Sequence, residues 1–235
     1  MQHRRTRGFK RSDIRAGGGF RKGRSKKRIR RGSGGLLRHG RLRLRTAIFG
    51  GSFNPVHVGH LVIAEEILVQ TGCDTILFIP AYDPPHKDFH DPGPSLRLAM
   101  LEASIAGNTH FRASDCEIRR SGVSYTIDTI RHLVGGGFVE PKPFLVIGDD
   151  LVEGFGSWKE SEAVAQETSI LIVHRRFETR LLMPFPHRYI DNAIFPVSSS
   201  AVREKAASGG AWRYLVPEAA RKIMEEHGLY GLRNS

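Results

Sequence analysis

Apolar residues are sparse and unpatterned up to residue 45 and become periodic from residue 46 onward. Residues 46–49, Thr-Ala-Ile-Phe, form a short apolar run ending in Gly50-Gly51, which reads as a buried strand entering a tight turn. Over residues 60–70, Leu61, Ala64, Ile67 and Leu68 recur at helical spacing and define one apolar face. A second strand is predicted over 75–80, followed by a Pro-rich loop over 81–94 and a helix over 95–105 with Leu98, Leu101 and Ile105 inward. A weak strand at 111–114 and a short helix at 125–134 come next. The continuous apolar run 143–148 is the clearest fully buried strand, 169–173 is another, and 189–195 reads as a shorter one. Helical patterns return at 200–208 and 217–227, with Pro217 in a first helical turn, where its missing N–H costs nothing. Strands alternating with helices predict an α/β fold: a parallel sheet with helices on both faces, whose buried strands need not alternate polar with apolar. No internal repeat is visible.

Charge divides the chain at the same point. Of the 36 Lys+Arg and 24 acidic residues, 18 and one respectively fall in residues 1–45, so that stretch carries +17 and the remainder −5. Residues 1–45 therefore read as a disordered, basic, Gly/Arg-rich extension, and residues 46–235 as the folded domain. The extension fits a nucleic-acid tether acting through phosphate contacts, or simply a solvated tail. It is also Arg-rich and acid-poor like a transit peptide, but its glycines make a poor amphipathic helix. No apolar run approaches the ~18 residues of a membrane span, so no membrane partner is expected. Cys73 and Cys116 stand outside any CxxC pair or Cys/His cluster, which argues against a disulfide framework or a zinc site and points to a reducing, cytoplasmic setting.

The chemistry concentrates after the first strand. Gly50-Gly51-Ser52-Phe53-Asn54-Pro55 leads into a helix near Gly59, and ligands of open parallel sheets bind at such strand ends. Glycines there let backbone approach a phosphate, and the helix N-terminus presents unpaired N–H groups and positive potential. His57-Val58-Gly59-His60 adds two imidazoles that can donate to phosphate oxygens. They could instead be metal ligands, although two histidines do not fill a zinc site, or simple helix caps. With the glycines beside them, phosphate handling is the better reading. A second constellation, Val197-Ser198-Ser199-Ser200-Ala201-Val202-Arg203, opens a late helix with hydroxyls, N–H groups and a full positive charge. Taken alone it is equally well a serine cap beside a surface arginine.

Together, in this order and about 140 residues apart, the two stretches resemble the signatures of the HxGH nucleotidylyltransferase superfamily. Within it the chain resembles the bacterial nicotinate-nucleotide adenylyltransferases from Thr46 to Leu232. The supporting segments are Phe78-Ile79-Pro80 with Pro84-Pro85-His86-Lys87, Arg119 with Ser124-Tyr125-Thr126-Ile127-Asp128-Thr129, Ile147-Gly148-Asp149-Asp150-Leu151 with Trp158, and Tyr214-Leu215-Val216-Pro217 with His227-Gly228-Leu229-Tyr230. The pattern departs modestly from the family's at Ser52, Asn54 and Ser200, each of which keeps a polar group of similar reach.

The resemblance implies a Rossmann-like sheet of nucleotidylyltransferase type and adenylyl transfer from ATP, with Mg²⁺, to nicotinate mononucleotide. It implies that ATP is held by Gly50, Gly51, Ser52 and Phe53, by His57 and His60, and by Ser198, Ser199, Ser200 and Arg203. His57, His60, Lys87 and Arg203 would stabilise charge on the phosphates. Nicotinate mononucleotide would meet backbone N–H groups at Tyr125 and Thr126, the Trp158 ring, Asp150 at its ribose, and His86 and Lys87 on the Pro-rich loop. No dedicated protein ligand for a metal is implied, and a homo-oligomer is left open. Two rivals remain at this point. One is the same chemistry on nicotinamide mononucleotide or phosphopantetheine; the other is a nucleic-acid-binding protein working through the tail. Arg175 or Arg176, in a less typical segment, could reach ATP.

Overall fold

The computed structural model describes residues 44–83, 91–176 and 180–232. The basic extension, apart from Leu44 and Arg45, lies outside the described residues, as do His86 and Lys87. Arg45 is already built into the domain: its N–H donates to the Asp74 carboxylate at 2.7 Å, and its carbonyl accepts from Asp74 N at 2.8 Å.

Six strands form one parallel sheet: β1 Thr46–Gly51, β2 Thr75–Pro80, β3 Phe111–Ala113, β4 Phe144–Gly148, β5 Ser169–Val173 and β6 His187–Tyr189, in the order β3-β2-β1-β4-β5-β6. Seven α-helices are described: α1 Val58–Thr71, α2 Pro94–Ile105, α3 Cys116–Arg120, α4 Thr126–Gly135, α5 Ser161–Glu167, α6 Ser199–Ala207 and α7 Glu218–Glu226. The strand order turns back between β1 and β4, and that switch point is where open α/β sheets hold ligands.

Strand periodicity builds two cores. Ala47 and Phe49 of β1, Val146 of β4 and Leu171 and Val173 of β5 face one side, where Ala64 and Ile67 of α1, Met100 and Leu101 of α2, Val202 of α6 and Met224 of α7 cover them. The intervening residues Ile48, Leu145, Ile147, Ile170 and Ile172 face the other, under Ile127, Ile130 and Leu133 of α4 and Val164 of α5. Both faces are thus dry, which explains why these strands read as unbroken apolar runs.

The last strand differs from its expectation. The apolar pattern predicts a strand over 189–195, whereas β6 spans His187–Tyr189 and is the edge of the sheet. Ile190, fully buried, makes the last bond to the sheet, its N–H donating to the Ile172 carbonyl at 2.9 Å, and the strand ends there. Pro217 is the N-cap of α7 and precedes its first turn.

Candidate active site

The site is built at the carboxyl end of β1. After Gly50 and Gly51 the chain turns through residues 52–57 and enters α1, whose N-cap is His57. Phe53 has a left-handed φ of 47° and drives its ring inward, edge-on to Phe49 and Phe78 at 5.9 and 5.8 Å. The ring of Phe53 is thus a floor of the loop and a member of the core. Above it the His57 and His60 rings stack at 3.6 Å, and His60 lies 5.0 Å from Phe53.

Hydrogen bonding fixes one tautomer of this pair. His57 N–H donates to His60 Nδ1 at 3.1 Å, so in the neutral ring the proton sits on Nε2, where it remains a donor. Neither ring nitrogen of His57 has a hydrogen-bond partner among the described residues, although the ring is buried. Burial, with a smaller contribution from the Arg175 charge, lowers the His57 pKa to about 4. Burial also holds His60 well below the ordinary imidazole value, followed by His57 and Arg175. At neutral pH both rings are uncharged donors.

Gly59 explains the spacing of the motif. A Cβ there would lie 3.0 Å from Val197 Cγ1 and 3.1 Å from His57 Nδ1. The helix start is therefore packed directly against the second signature, and any side chain here would push Val197 and the His57 ring aside. A Cβ on Gly51 would meet the Phe53 ring at 3.1 Å, whereas Gly50 faces open space into which a ligand can approach.

The two signatures are bonded to each other. Ser199 Oγ donates to the Pro55 carbonyl at 2.9 Å, and Arg203 Nη1 donates to the Asn54 carbonyl at 2.8 Å. Asn54 Oδ1 in turn accepts from Tyr230 Oη at 2.6 Å. Ser198 caps α6, its Oγ accepting from Ala201 N at 3.1 Å, and Ser200 Oγ accepts from Arg203 Nη2 at 3.3 Å. The N-termini of α1 and α6 are thereby held side by side at one end of the sheet, a paired source of unsatisfied N–H groups and positive potential.

On the other side of the switch point, Gly148 ends β4 and is followed by Asp149 and Asp150. Asp149 is completely buried and accepts from Arg176 N at 3.1 Å. Asp150 is paired with Arg175, Nη1 to Oδ2 at 3.1 Å, and a side chain at Gly148 would collide with both. Because Arg175 is 43% exposed, that ion pair is worth no more than ~1 kcal/mol and yields readily to a competing ligand. Tyr125 is the N-cap of α4 and Thr126 its first residue. Lys159 brings this helix start to Trp158: its Nζ lies 4.7 Å over the Tyr125 ring and 2.9 Å from Asp128. Trp158 is half-buried against Phe155, with ring centroids 4.9 Å apart.

Sequence reasoning missed Arg97, whose fully buried guanidinium donates to Ser52 O, Tyr82 O and Asp91. Its signal was present: Arg97 stands one turn before Leu101, on the inward face of α2. The Asn54–Tyr230 bond spans 176 residues and had no local signal.

Comparison with known proteins completes the assignment. The cytidylyltransferase-like family model matches residues 48–205. A "Probable nicotinate-nucleotide adenylyltransferase" of Borreliella afzelii is 40% identical over 189 residues, covering 80% of this chain and 97% of the relative. One of the same name from Geobacillus kaustophilus is 40% identical over 192 residues, covering 79% and 86%. Among solved structures, the Plasmodium falciparum nicotinic acid mononucleotide adenylyltransferase complexed with NaAD superposes with a TM-score of 0.67 at 18% identity, covering 81% of this chain and 98% of that one, a likeness of fold. The chain belongs to the cytidylyltransferase-like family and, within it, to the nicotinate-nucleotide adenylyltransferases.

Proposed function

We propose that the chain transfers the adenylyl group of ATP to nicotinate mononucleotide, giving deamido-NAD and pyrophosphate. A phosphate oxygen of nicotinate mononucleotide, already ionised at neutral pH, attacks the α-phosphorus. The new P–O bond forms as the bond from the α-phosphorus to the bridging oxygen breaks, and its electrons leave with pyrophosphate. No protein nucleophile is required, so catalysis is positioning plus stabilisation of charge on the three phosphates.

The observation that carries this reading is the pair of helix N-termini, α1 and α6, bonded together through Ser199–Pro55 and Arg203–Asn54 at the end of β1. We assign the α-, β- and γ-phosphates to the N–H groups there, to the Nε2–H of His60, to the neighbouring His57, to Arg203 and to Lys87. The serine hydroxyls have protein partners, so Ser198, Ser199 and Ser200 serve ATP mainly through backbone N–H groups. Gly50, Gly51 and Ser52 line the approach, and Phe53 supports it from below. Among the described residues no group of three His, Cys, Asp or Glu side chains could hold a metal ion. Mg²⁺ would be held by the phosphate oxygens of ATP, the ligands a small hard cation prefers, and would neutralise their charge.

For the acceptor, N–H groups at Tyr125 and Thr126 would bind the pyridine carboxylate and Trp158 would stack on the ring. Asp150 would take a ribose hydroxyl in exchange for Arg175, with His86 on the same substrate. Charge-assisted bonds to a carboxylate are lost with an amide, which gives the site its acid preference. The test is pyrophosphate release with ATP, Mg²⁺ and each of nicotinate mononucleotide, nicotinamide mononucleotide and phosphopantetheine. Turnover is expected with the first, at least ~10-fold above the second; turnover confined to phosphopantetheine overturns the reading.

A further inference from the structure

Arg97 lies on α2, an element that brings no group of its own to the nucleotide site, yet its side chain is completely buried. A guanidinium leaves water only where its donors are met, and here they are met on three separate segments. Nε donates to Asp91 Oδ1 at 3.0 Å, Nη1 to the Ser52 carbonyl at 2.8 Å and Nη2 to the Tyr82 carbonyl at 3.0 Å. The same Asp91 oxygen accepts from Gly93 N at 3.0 Å, and Gly93, at φ 91°, is the N-cap of α2. Carboxylate, helix start and guanidinium form one fixed unit.

What that unit holds is informative. Ser52 lies between the glycines of β1 and Phe53, in the phosphate loop. The Ser52–Phe53 peptide is planar, so holding its carbonyl toward Arg97 holds its N–H in the opposite direction. Tyr82 and Asp91 flank in sequence the positions of His86 and Lys87, and Ala81 N also donates to Gly51 O at 2.9 Å. The bonds of the unit do not involve Tyr125, Asp150 or Trp158, which belong to the other side of the switch point.

We propose that Arg97 is a positioning residue for the ATP half of the site: its planar fork locks the phosphate loop to the two chain positions that flank the His86-Lys87 segment. The proposal rests on the adenylyl-transfer reading above. Lysine keeps the charge but, as a compact ammonium, cannot reproduce three directed bonds from one plane. Arg97→Lys is therefore expected to lower kcat/KM for ATP by ~10- to 100-fold, the scale of a displaced reacting group, while KM for nicotinate mononucleotide stays within ~2-fold. ATP affinity, measured by calorimetry without acceptor, is expected to weaken by ~10-fold or more.

Circular dichroism and thermal unfolding establish that the variant is folded. If Arg97→Lys does not fold, Asp91→Asn loosens the same unit from its surface end and carries the same ATP-selective expectation at smaller size. A folded variant with unchanged ATP affinity and kcat/KM overturns the proposal. So does an equal loss for ATP and acceptor, which is what a merely structural role produces. Because ATP binding is read without turnover, the inference is tested even if the acceptor is not nicotinate mononucleotide.

Discussion

At the scale of single residues, the histidine pair illustrates how burial decides chemistry. In solution an imidazole is protonated below about pH 6.5, but His57, lowered to about 4 by burial first and Arg175 second, stays neutral far below that. Between pH 4 and 6.5 the unfolded chain binds a proton at this position that the folded chain does not, so stability rises with pH across that window and is lost on acidification. At pH 7 both states are largely neutral and the penalty is absent. Between pH 7 and pH 5 the His57 contribution alone amounts to about 2 kcal/mol of lost stability, because each pH unit below 6.5 costs ~1.4 kcal/mol while the folded ring stays neutral. Urea unfolding of the wild-type chain and of His57→Gln at the two pH values checks this: the variant should lose about 2 kcal/mol less on acidification. An identical pH slope in both proteins would show that His57 is not held neutral. In the proposed reaction, neutrality means that His57 and His60 would supply directed donors, and that the full positive charge would come from Arg203 and Lys87.

At the scale of elements, the site is a junction between two helix starts, and its tightest point is Gly59 against Val197. Gly59→Ala places a methyl carbon 3.0 Å from a branched side chain and 3.1 Å from the His57 ring, neither of which is the free end of a flexible chain. Overpacking of this kind costs about 1–3 kcal/mol, and any relief must part α1 from the second signature. The variant should therefore lose both stability and turnover, the latter by ~10-fold or more because the phosphate-facing N–H groups shift; full activity in Gly59→Ala would mean the junction is not part of the site. This junction was legible in the sequence because each half is local: glycines at a strand end, imidazoles at a helix entrance, serines before an arginine. Strands β2 and β5 were legible for a similar reason, since burial on both faces writes a continuous apolar run. What escaped was either short or distant. α3 buries none of its residues and α5 only Val164, so neither prints an amphipathic stripe. Arg97 stands on the inward face of α2, but Ser52, which gives its burial meaning, is 45 positions away. Asp150 stands out in the sequence as a site candidate, but its pairing with Arg175 across 25 positions does not.

At the scale of the whole molecule, the chain joins two parts of opposite sign, a +17 stretch over residues 1–45 and a −5 remainder that contains every residue placed in the site. Adenylyl transfer needs only local positive potential, which the helix starts, Arg203 and Lys87 would provide, as proposed above, within an acidic body. Affinity for a polyanion, by contrast, scales with the number of phosphates neutralised, and only residues 1–45 carry enough clustered charge to neutralise several. The two properties should therefore separate on truncation. Removing residues 1–43 is expected to leave kcat/KM for both substrates within ~2-fold, since the groups proposed for ATP and the acceptor all lie further along the chain. The full chain should bind a short duplex DNA with steep salt dependence: six or more neutralised phosphates mean a loss of about 10³-fold or more between 50 and 200 mM salt. The truncated chain should show no measurable binding at either salt concentration, because its net charge repels the duplex. Fluorescence anisotropy with a labelled duplex, run beside the pyrophosphate assay on both proteins, gives the two readings. Catalysis that disappears with the first 43 residues would place part of the active site in the basic stretch. Duplex binding that survives their removal would place a nucleic-acid surface on the domain itself.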